Sequence, residues 1–205
     1  MDLRTGAPED DRVAGGGRWG RGRTVRAAVI AVLLSGANAA QPGATPGLKL
    51  AGARISGFLD LSDLELGQAL RIEACWFEEA PKLDGASTRT IRVTDSRLPG
   101  LHAALVRVEG HLDLSRSRVE GCLNLLSASV AGGLVLNGTR VCVSEGWAVI
   151  ADGLVTGGGV FCMHGFTVRG GIRLLGAQLP GGSPPPRASP RTGRCGCAEP
   201  GSRAA

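Results

Sequence analysis

Two adjacent stretches, "HLDLSRSRVEG" (His111–Gly121) and "CLNLLSASVAG" (Cys122–Gly132), carry the clearest repeat in this chain. In each, a leading apolar residue is followed by another two residues later and by a third seven residues later. These positions are Leu112, Leu114 and Val119, then Leu123, Leu125 and Val130. Apolar residues two apart with an outward residue between them follow the alternation of a β-strand. The pair therefore predicts very short strands joined by corners.

The same spacing continues in both directions along the chain. Leading apolar residues recur from Leu48 to Leu134, with one degenerate unit at Pro81, Leu83 and Thr88. The insertion "CVSEG" (142–146) then interrupts the register, which resumes at Val149, Val160 and Ile172 with Val155, Val168 and Leu179 as third positions. The repeat predicts a structural core that contains Leu59, Leu61, Leu66, Leu112, Leu114, Val119, Leu123, Leu125, Val130, Leu134, Leu136 and Val141.

An eleven-residue period also fits three turns of a helix in a right-handed coiled coil. Glycine in most units opposes that alternative, because glycine destabilises helix interiors. Two units would instead make one four-sided coil, and coils would stack about 4.8 Å apart. The sequence predicts an all-β fold, a right-handed parallel β-helix of about six coils over residues 48–179. The glycines that close units are expected to supply corner backbone angles; they are Gly57, Gly100, Gly110, Gly121 and Gly132.

The segments outside the repeat divide into two tails and a helix. Residues 1–25 and the Pro-rich residues 180–205 have no apolar period and are predicted to be disordered. Residues 26–36 predict a short helix, which with a linker to residue 47 would cover the open end of the first coil. Residues 18–39 also resemble a signal peptide. A cytoplasmic location is predicted, with export or peripheral membrane contact through residues 18–39 as the alternative.

The net charge of +5 resides in the tails, since residues 27–180 contain thirteen basic and thirteen acidic side chains. A phosphate-tracking groove needs clustered arginine and lysine on the folded surface. The neutral middle therefore predicts no nucleic-acid partner. No apolar run reaches the roughly 20 residues of a membrane span.

Candidate chemical groups are scattered. Cys75 and Cys162 fall on inward positions and are interpreted as core residues, and Cys195–Cys197 is an incidental pair. Glu109 and Glu120 share a corner register, for which a solvated acidic corner is favoured over an acid–base pair. Outward positions predict one face with Arg71, Arg92, Asp113, Val135 and Phe161, and another with Asp60, His102, Asn124, Ile150 and Arg173. The sequence thus predicts no catalytic, cofactor-binding or metal-binding residue, and no cofactor.

The spacing in "GARISGFLDLSD" (52–63) resembles that of pentapeptide-repeat β-helices. More closely, "VRAAVIAVLLSG" (25–36), "LKLAGARISGFLDLS" (48–62), "SRLPGL" (96–101), "VAGGLVLNGTRV" (130–141) and "VRGGIRLLGAQL" (168–179) resemble a family of actinobacterial β-helix proteins. Members are often labelled membrane-associated oxidoreductase, a label that attaches to no residue here. Their coils usually continue beyond the position of Leu179, which predicts a truncated or frame-shifted reading frame.

These observations together predict a non-enzymatic solenoid that acts as a structural or protein-interaction scaffold. The alternative is the oxidoreductase activity that the resemblance implies. The uncapped last coil, around Ile172–Leu179, is expected to fray or to associate end to end with a second copy.

Overall fold

The structure is a computed structural model that describes residues 1–7, 9–35 and 47–180. Within these ranges the chain is mostly parallel β-structure with one α-helix, α1 (Ala27–Leu34), and two 3-10 helices, Val13–Arg18 and Arg21–Arg23. The strands are β1 (Thr24–Arg26), β2 (Gly47–Ala51), β3 (Arg54–Ser56), β4 (Glu65–Glu73), β5 (Trp76–Phe77), β6 (Ser87–Thr94), β7 (Arg97–Leu98), β8 (Leu101–His102), β9 (Arg107–Val108), β10 (Leu112–Asp113), β11 (Arg118–Val119), β12 (Leu123–Asn124), β13 (Ser129–Val130), β14 (Leu134–Val135), β15 (Arg140–Ile150), β16 (Val155–Thr156), β17 (Val160–Phe161) and β18 (Thr167–Arg173).

The strands build a parallel β-helix of six coils, which begin at residues 48, 70, 91, 112, 134 and 160. Each coil has four faces, numbered here in chain order. Face 1 contains β2, β10, β14, β17 and the ends of β4 and β6, and face 2 contains β3, β5, β7, β11 and the starts of β15 and β18. Face 3 contains β8, β12 and the ends of β15 and β18, and face 4 contains β9, β13, β16 and the starts of β4 and β6. The predicted β-helix is confirmed.

The inward side chains of all four faces meet in one apolar core. Leu112, Leu114 and Val119 are each 0% exposed, as expected for strands whose alternate residues point inward. The other residues proposed for the core lie in the same cluster; they are Leu59, Leu61, Leu66, Leu123, Leu125, Val130, Leu134, Leu136 and Val141. In coil 5, however, Thr156 takes the inward position and Val155 is 40% exposed. The third position expected at Val155 was therefore wrong by one residue, because Thr156 stands the usual seven residues after Val149 and pairs with Val130.

Four of the five corner glycines named from the sequence do not adopt the backbone angles that were expected of them. Gly57 has a φ of +78°, but Gly100, Gly110, Gly121 and Gly132 do not lie in the left-handed region. Instead, at Gly110, Gly121 and Gly132 the stacked corners approach too closely for a side chain: a Cβ on Gly121 would lie 2.1 Å from the carbonyl oxygen of Pro99. The left-handed residues stand at the fifth position of the units, where Asp95, Arg116 and others have positive φ.

Helix α1 covers the open end of coil 1, as predicted. Ala27, Ile30 and Leu34 are at most 5% exposed and belong to the same core as Leu50 and Ile55. The helix has eight residues. No helix in the described ranges is long and apolar enough to cross a bilayer.

The N-terminal segment packs on coil 1 in the described part of residues 1–25, where the composition predicts disorder. The Met1 amino group donates to the Lys49 carbonyl (2.7 Å), and the Leu3 N–H donates to the Ala51 carbonyl (2.9 Å). Strand β1 pairs in parallel with β3. These contacts use the edge of the first coil, so sequence-local composition does not reveal them. The Pro-rich residues 181–205 and most of the expected linker (36–46) lie outside the described residues.

Candidate functional site: the arginine ladder of face 2

The outward positions of face 2 form a ladder that runs along the axis of the β-helix. Strand pairing brings these residues into register from coil 1 to coil 6. In order they are Arg54, Trp76, Arg97, Arg118, Arg140 and Thr167. Adjacent parallel strands lie about 4.8 Å apart, so neighbouring side chains of this arginine ladder are within reach of one another.

The first half of the arginine ladder has its charges compensated. Arg54 pairs with Glu78 at 3.0 Å, and Arg97 pairs with Glu120 through two hydrogen bonds, one of 3.0 Å. Both guanidinium groups also lie over the Trp76 ring, 5.5 Å and 5.4 Å from its centroid. Such contacts stabilise a cation by about 0.5–1 kcal/mol at exposed sites.

A 3-10 helix covers Trp76 from the outside. A Cβ on Gly16 would lie 2.4 Å from the Trp76 Cβ, so the glycine allows the backbone to pack directly on the side chain. This half of the arginine ladder is therefore occupied by the protein's own N-terminal segment.

The second half of the arginine ladder consists of Arg118, Arg140 and Thr167. It is called the open half here, because no described side chain forms an ion pair or a ring contact with its two arginines. Arg118 and Arg140 are exposed and directly opposite each other on β11 and β15. Among the described residues, no carboxylate lies within 4.0 Å of either guanidinium group. Like charges directly opposite on paired strands destabilise a sheet. Within the described part of the chain, this exposed arginine pair therefore has no carboxylate partner.

The insertion that follows Arg140 in β15 projects beside this site. It interrupts regular pairing with β18 between Cys142 and Trp147, as the loss of register in the sequence predicts. Trp147 is 48% exposed and lies against Gly171, where a Cβ would be 2.5 Å from the indole ring. The Arg173 guanidinium lies 5.9 Å from the Trp147 ring centroid. The corner between faces 2 and 3 therefore presents a half-exposed aromatic ring.

Faces 1 and 3 carry mixed outward chemistry, as the sequence predicts. Strand pairing groups Arg71, Arg92, Asp113, Val135 and Phe161 on face 1 and adds Lys49 at its start. On face 3 it groups Asp60, His102, Asn124, Ile150 and Arg173 and adds Lys82 from the degenerate unit. The Arg92 guanidinium lies 3.8 Å from the Asp113 carboxylate. Neither face has two neighbouring arginines that both lack a carboxylate within 4.0 Å among the described residues.

The remaining candidate groups do not converge. Glu109 lies on face 4, whereas Glu120 lies on face 2 and pairs with Arg97. The expected shared acidic corner was wrong, because residues one unit apart fall on opposite halves of a coil. His111 Nδ1 accepts a hydrogen bond from the Gly133 N–H at 2.9 Å. The described residues contain no group of three or more potential metal ligands.

Cys75 is buried in the core and Cys162 is partly buried against it, and both are poorly suited to act as nucleophiles. Burial raises the pKa of the Cys75 thiol to about 11 and that of Cys162 to about 11. Both therefore stay protonated near neutral pH, whereas the thiolate is the reactive form. Cys195 and Cys197 lie outside the described residues.

A small void lies inside the coils. Its volume is about 10 Å³, and apolar side chains such as Leu59, Phe77 and Leu101 line it. A water molecule needs that much space and also two or more polar partners, so the void does not suit a polar ligand. Among the outward ladders described above, the arginine ladder is the one that places two exposed arginines without a described carboxylate partner in adjacent register.

The arginine ladder was not predicted from the sequence, although the sequence contains a signal for it. The outward residue before the third apolar position is arginine in units that begin at 48, 91, 112 and 134. Two units make one coil, so only a comparison at every second unit, about 22 residues apart, exposes this recurrence.

Comparisons with protein-family models, curated proteins and solved structures gave no match.

Proposed function

We propose that this β-helix is a non-enzymatic scaffold that binds a partner protein through the open half of face 2. The observation that carries the proposal is the exposed, in-register Arg118–Arg140 pair, for which the described residues provide no carboxylate. Arginine and tryptophan are enriched among residues that dominate protein interfaces, and Trp147 directly follows the insertion in the same strand as Arg140.

The rigid register of the coils also favours this role. The backbone of β11 is hydrogen-bonded to coils on both sides, through Arg118 to Ser96 and from Arg140 to Ser117, at 2.8 Å and 2.9 Å. Side chains on such a sheet are presented at fixed spacing, which lowers the entropy lost on binding.

Site-specific photo-crosslinking in the source cells tests the proposal. A photoreactive residue replaces Thr167 on face 2 or, as the matched control, Ser129 on face 4; both positions are exposed and outward. We expect one discrete crosslinked species, of the same identity in repeated experiments, from the Thr167 position alone. Crosslinks from both positions or from neither would contradict docking on face 2.

The oxidoreductase alternative is tested on the purified full chain. An enzyme of that class that uses a flavin, haem or iron–sulfur cluster would retain stoichiometric visible absorbance. We expect a colourless protein, and a bound chromophore would overturn the non-enzymatic proposal.

A further inference from the structure

We propose that the Arg118–Arg140 pair binds an acidic segment of the partner protein, with Asp or Glu carboxylates bridging the two guanidinium groups. This inference rests on the proposed scaffold function and specifies the chemistry that face 2 recognises.

The geometry of the pair suits a carboxylate. The two arginines are register partners on adjacent parallel strands, and such strands lie about 4.8 Å apart. A carboxylate has two oxygens and accepts several hydrogen bonds, and a guanidinium presents five N–H donors in a planar fork. One carboxylate can therefore accept hydrogen bonds from both arginines at once.

In the preceding coil, a carboxylate of the protein itself already pairs with one arginine of the ladder. Glu120 accepts hydrogen bonds from both Nε and a terminal nitrogen of Arg97. Its counterpart one coil further on is Cys142, which follows Val141 in β15. Glu120 stands two residues after Arg118 and pairs with Arg97 in the preceding coil. The equivalent position after Arg140 is Cys142, so β15 has no carboxylate there that could pair with Arg118.

The charge pattern favours an acidic peptide over a nucleic acid. Asp95 pairs with Arg116 at the corner beside face 2, and Glu120 lies on the same strand run as Arg118. A phosphate backbone that followed the axis would meet these carboxylates. Strong nucleic-acid binding requires many phosphate contacts by clustered cations, whereas the open site consists of two arginines with Arg169 diagonal to Arg140.

The test measures binding of a fluorescent hexaglutamate peptide to the full chain at low salt, by fluorescence anisotropy. The variants are Arg118→Gln, Arg140→Gln and the double substitution. The matched control is Arg107→Gln, which removes an exposed arginine from the equivalent repeat position on face 4, where its register partners are Ser87 and Ser129. A hexathymidylate oligonucleotide is the second probe.

We expect each single substitution on face 2 to weaken hexaglutamate binding about fivefold, the double about 25-fold, and Arg107→Gln to have no effect. The urea midpoint of the Arg118→Gln variant should not fall, because the substitution relieves like-charge repulsion. A loss of binding is then not a loss of fold.

Three results would overturn the inference: no hexaglutamate binding, an equal loss in Arg107→Gln, or tighter binding of the oligonucleotide than of the peptide. Each is distinct from failure of the scaffold proposal. If Thr167 crosslinks a partner but hexaglutamate does not bind, the scaffold function stands and the acidic chemistry is wrong.

Discussion

Removal of the Ser117 hydroxyl tests whether the dry interior depends on side-chain hydrogen bonds between coils. Ser117 is 1% exposed. Its Oγ accepts a hydrogen bond from the Ser96 N–H at 3.1 Å and donates one to the Val93 carbonyl at 2.8 Å. The Ser117→Ala substitution removes both bonds and leaves the Ser96 N–H buried without an acceptor.

The expected cost follows from these two bonds. An unsatisfied buried donor costs about 1–3 kcal/mol, and a lost neutral hydrogen bond about 1 kcal/mol. We therefore expect Ser117→Ala to lower the free energy of unfolding by about 2–3 kcal/mol, measured by urea titration with circular dichroism. The matched control is Ser129→Ala, on the exposed side of face 4, which should stay within about 0.5 kcal/mol of the parent.

A rescue variant sharpens this test. Cys75 occupies the same interior position two coils earlier, and its Sγ accepts from the Ala53 N–H at 3.4 Å. Ser117→Cys should therefore recover part of the lost stability. If Ser117→Ala is as stable as Ser129→Ala, the interior hydroxyls do not support the fold and the reasoning fails.

Three further predictions concern the corners, the thiols and the cap. Gly121→Ala should destabilise the fold by at least about 2 kcal/mol in urea titration, because its Cβ would collide with the Pro99 carbonyl. Stability should fall as the pH rises from 9 towards 11, because the pKa of the Cys75 thiol is raised to about 11 from 9.0, so the unfolded chain loses this proton first; Cys75→Ser should reduce that fall. Ile30→Asp should lower stability by about 3 kcal/mol or more, because it buries a charge under the cap, whereas Val32→Asp on the exposed side should not.

Each of these has its own control or contrary result. Gly22, with no atom within 4 Å of an added Cβ, should accept alanine without loss. Cys122→Ser should reduce the loss of stability between pH 9 and 11 less than Cys75→Ser does, since Cys122 is less buried. Equal sensitivity of Ile30 and Val32 to aspartate would show that α1 does not cap the core.

Much of the fold was predictable because its causes are local. Leu112 and Leu114 alternate with an outward residue, and Val119 has its equivalent eleven residues later in Val130. These local patterns specify the inward positions without knowledge of any partner strand. The apolar content of residues 27–34 likewise predicts α1. End-to-end association through coil 6 and a cytoplasmic location stay predictions.

The open cationic site was not predictable from composition, since residues 27–180 are neutral in sum. Whether the charge of an arginine is compensated depends on residues about two units away. Arg97 pairs with Glu120, 23 positions along the chain, whereas no described carboxylate pairs with Arg118 or Arg140. The role of Gly121 is set in the same way, by the Pro99 carbonyl of the preceding coil.

The amino-acid sequence alone therefore determines which residues face the core, because the period of a strand is local. Only the stacking of coils determines which surface charges lack a counter-charge and which backbone atoms touch, because those contacts join residues that the chain brings together one full turn later.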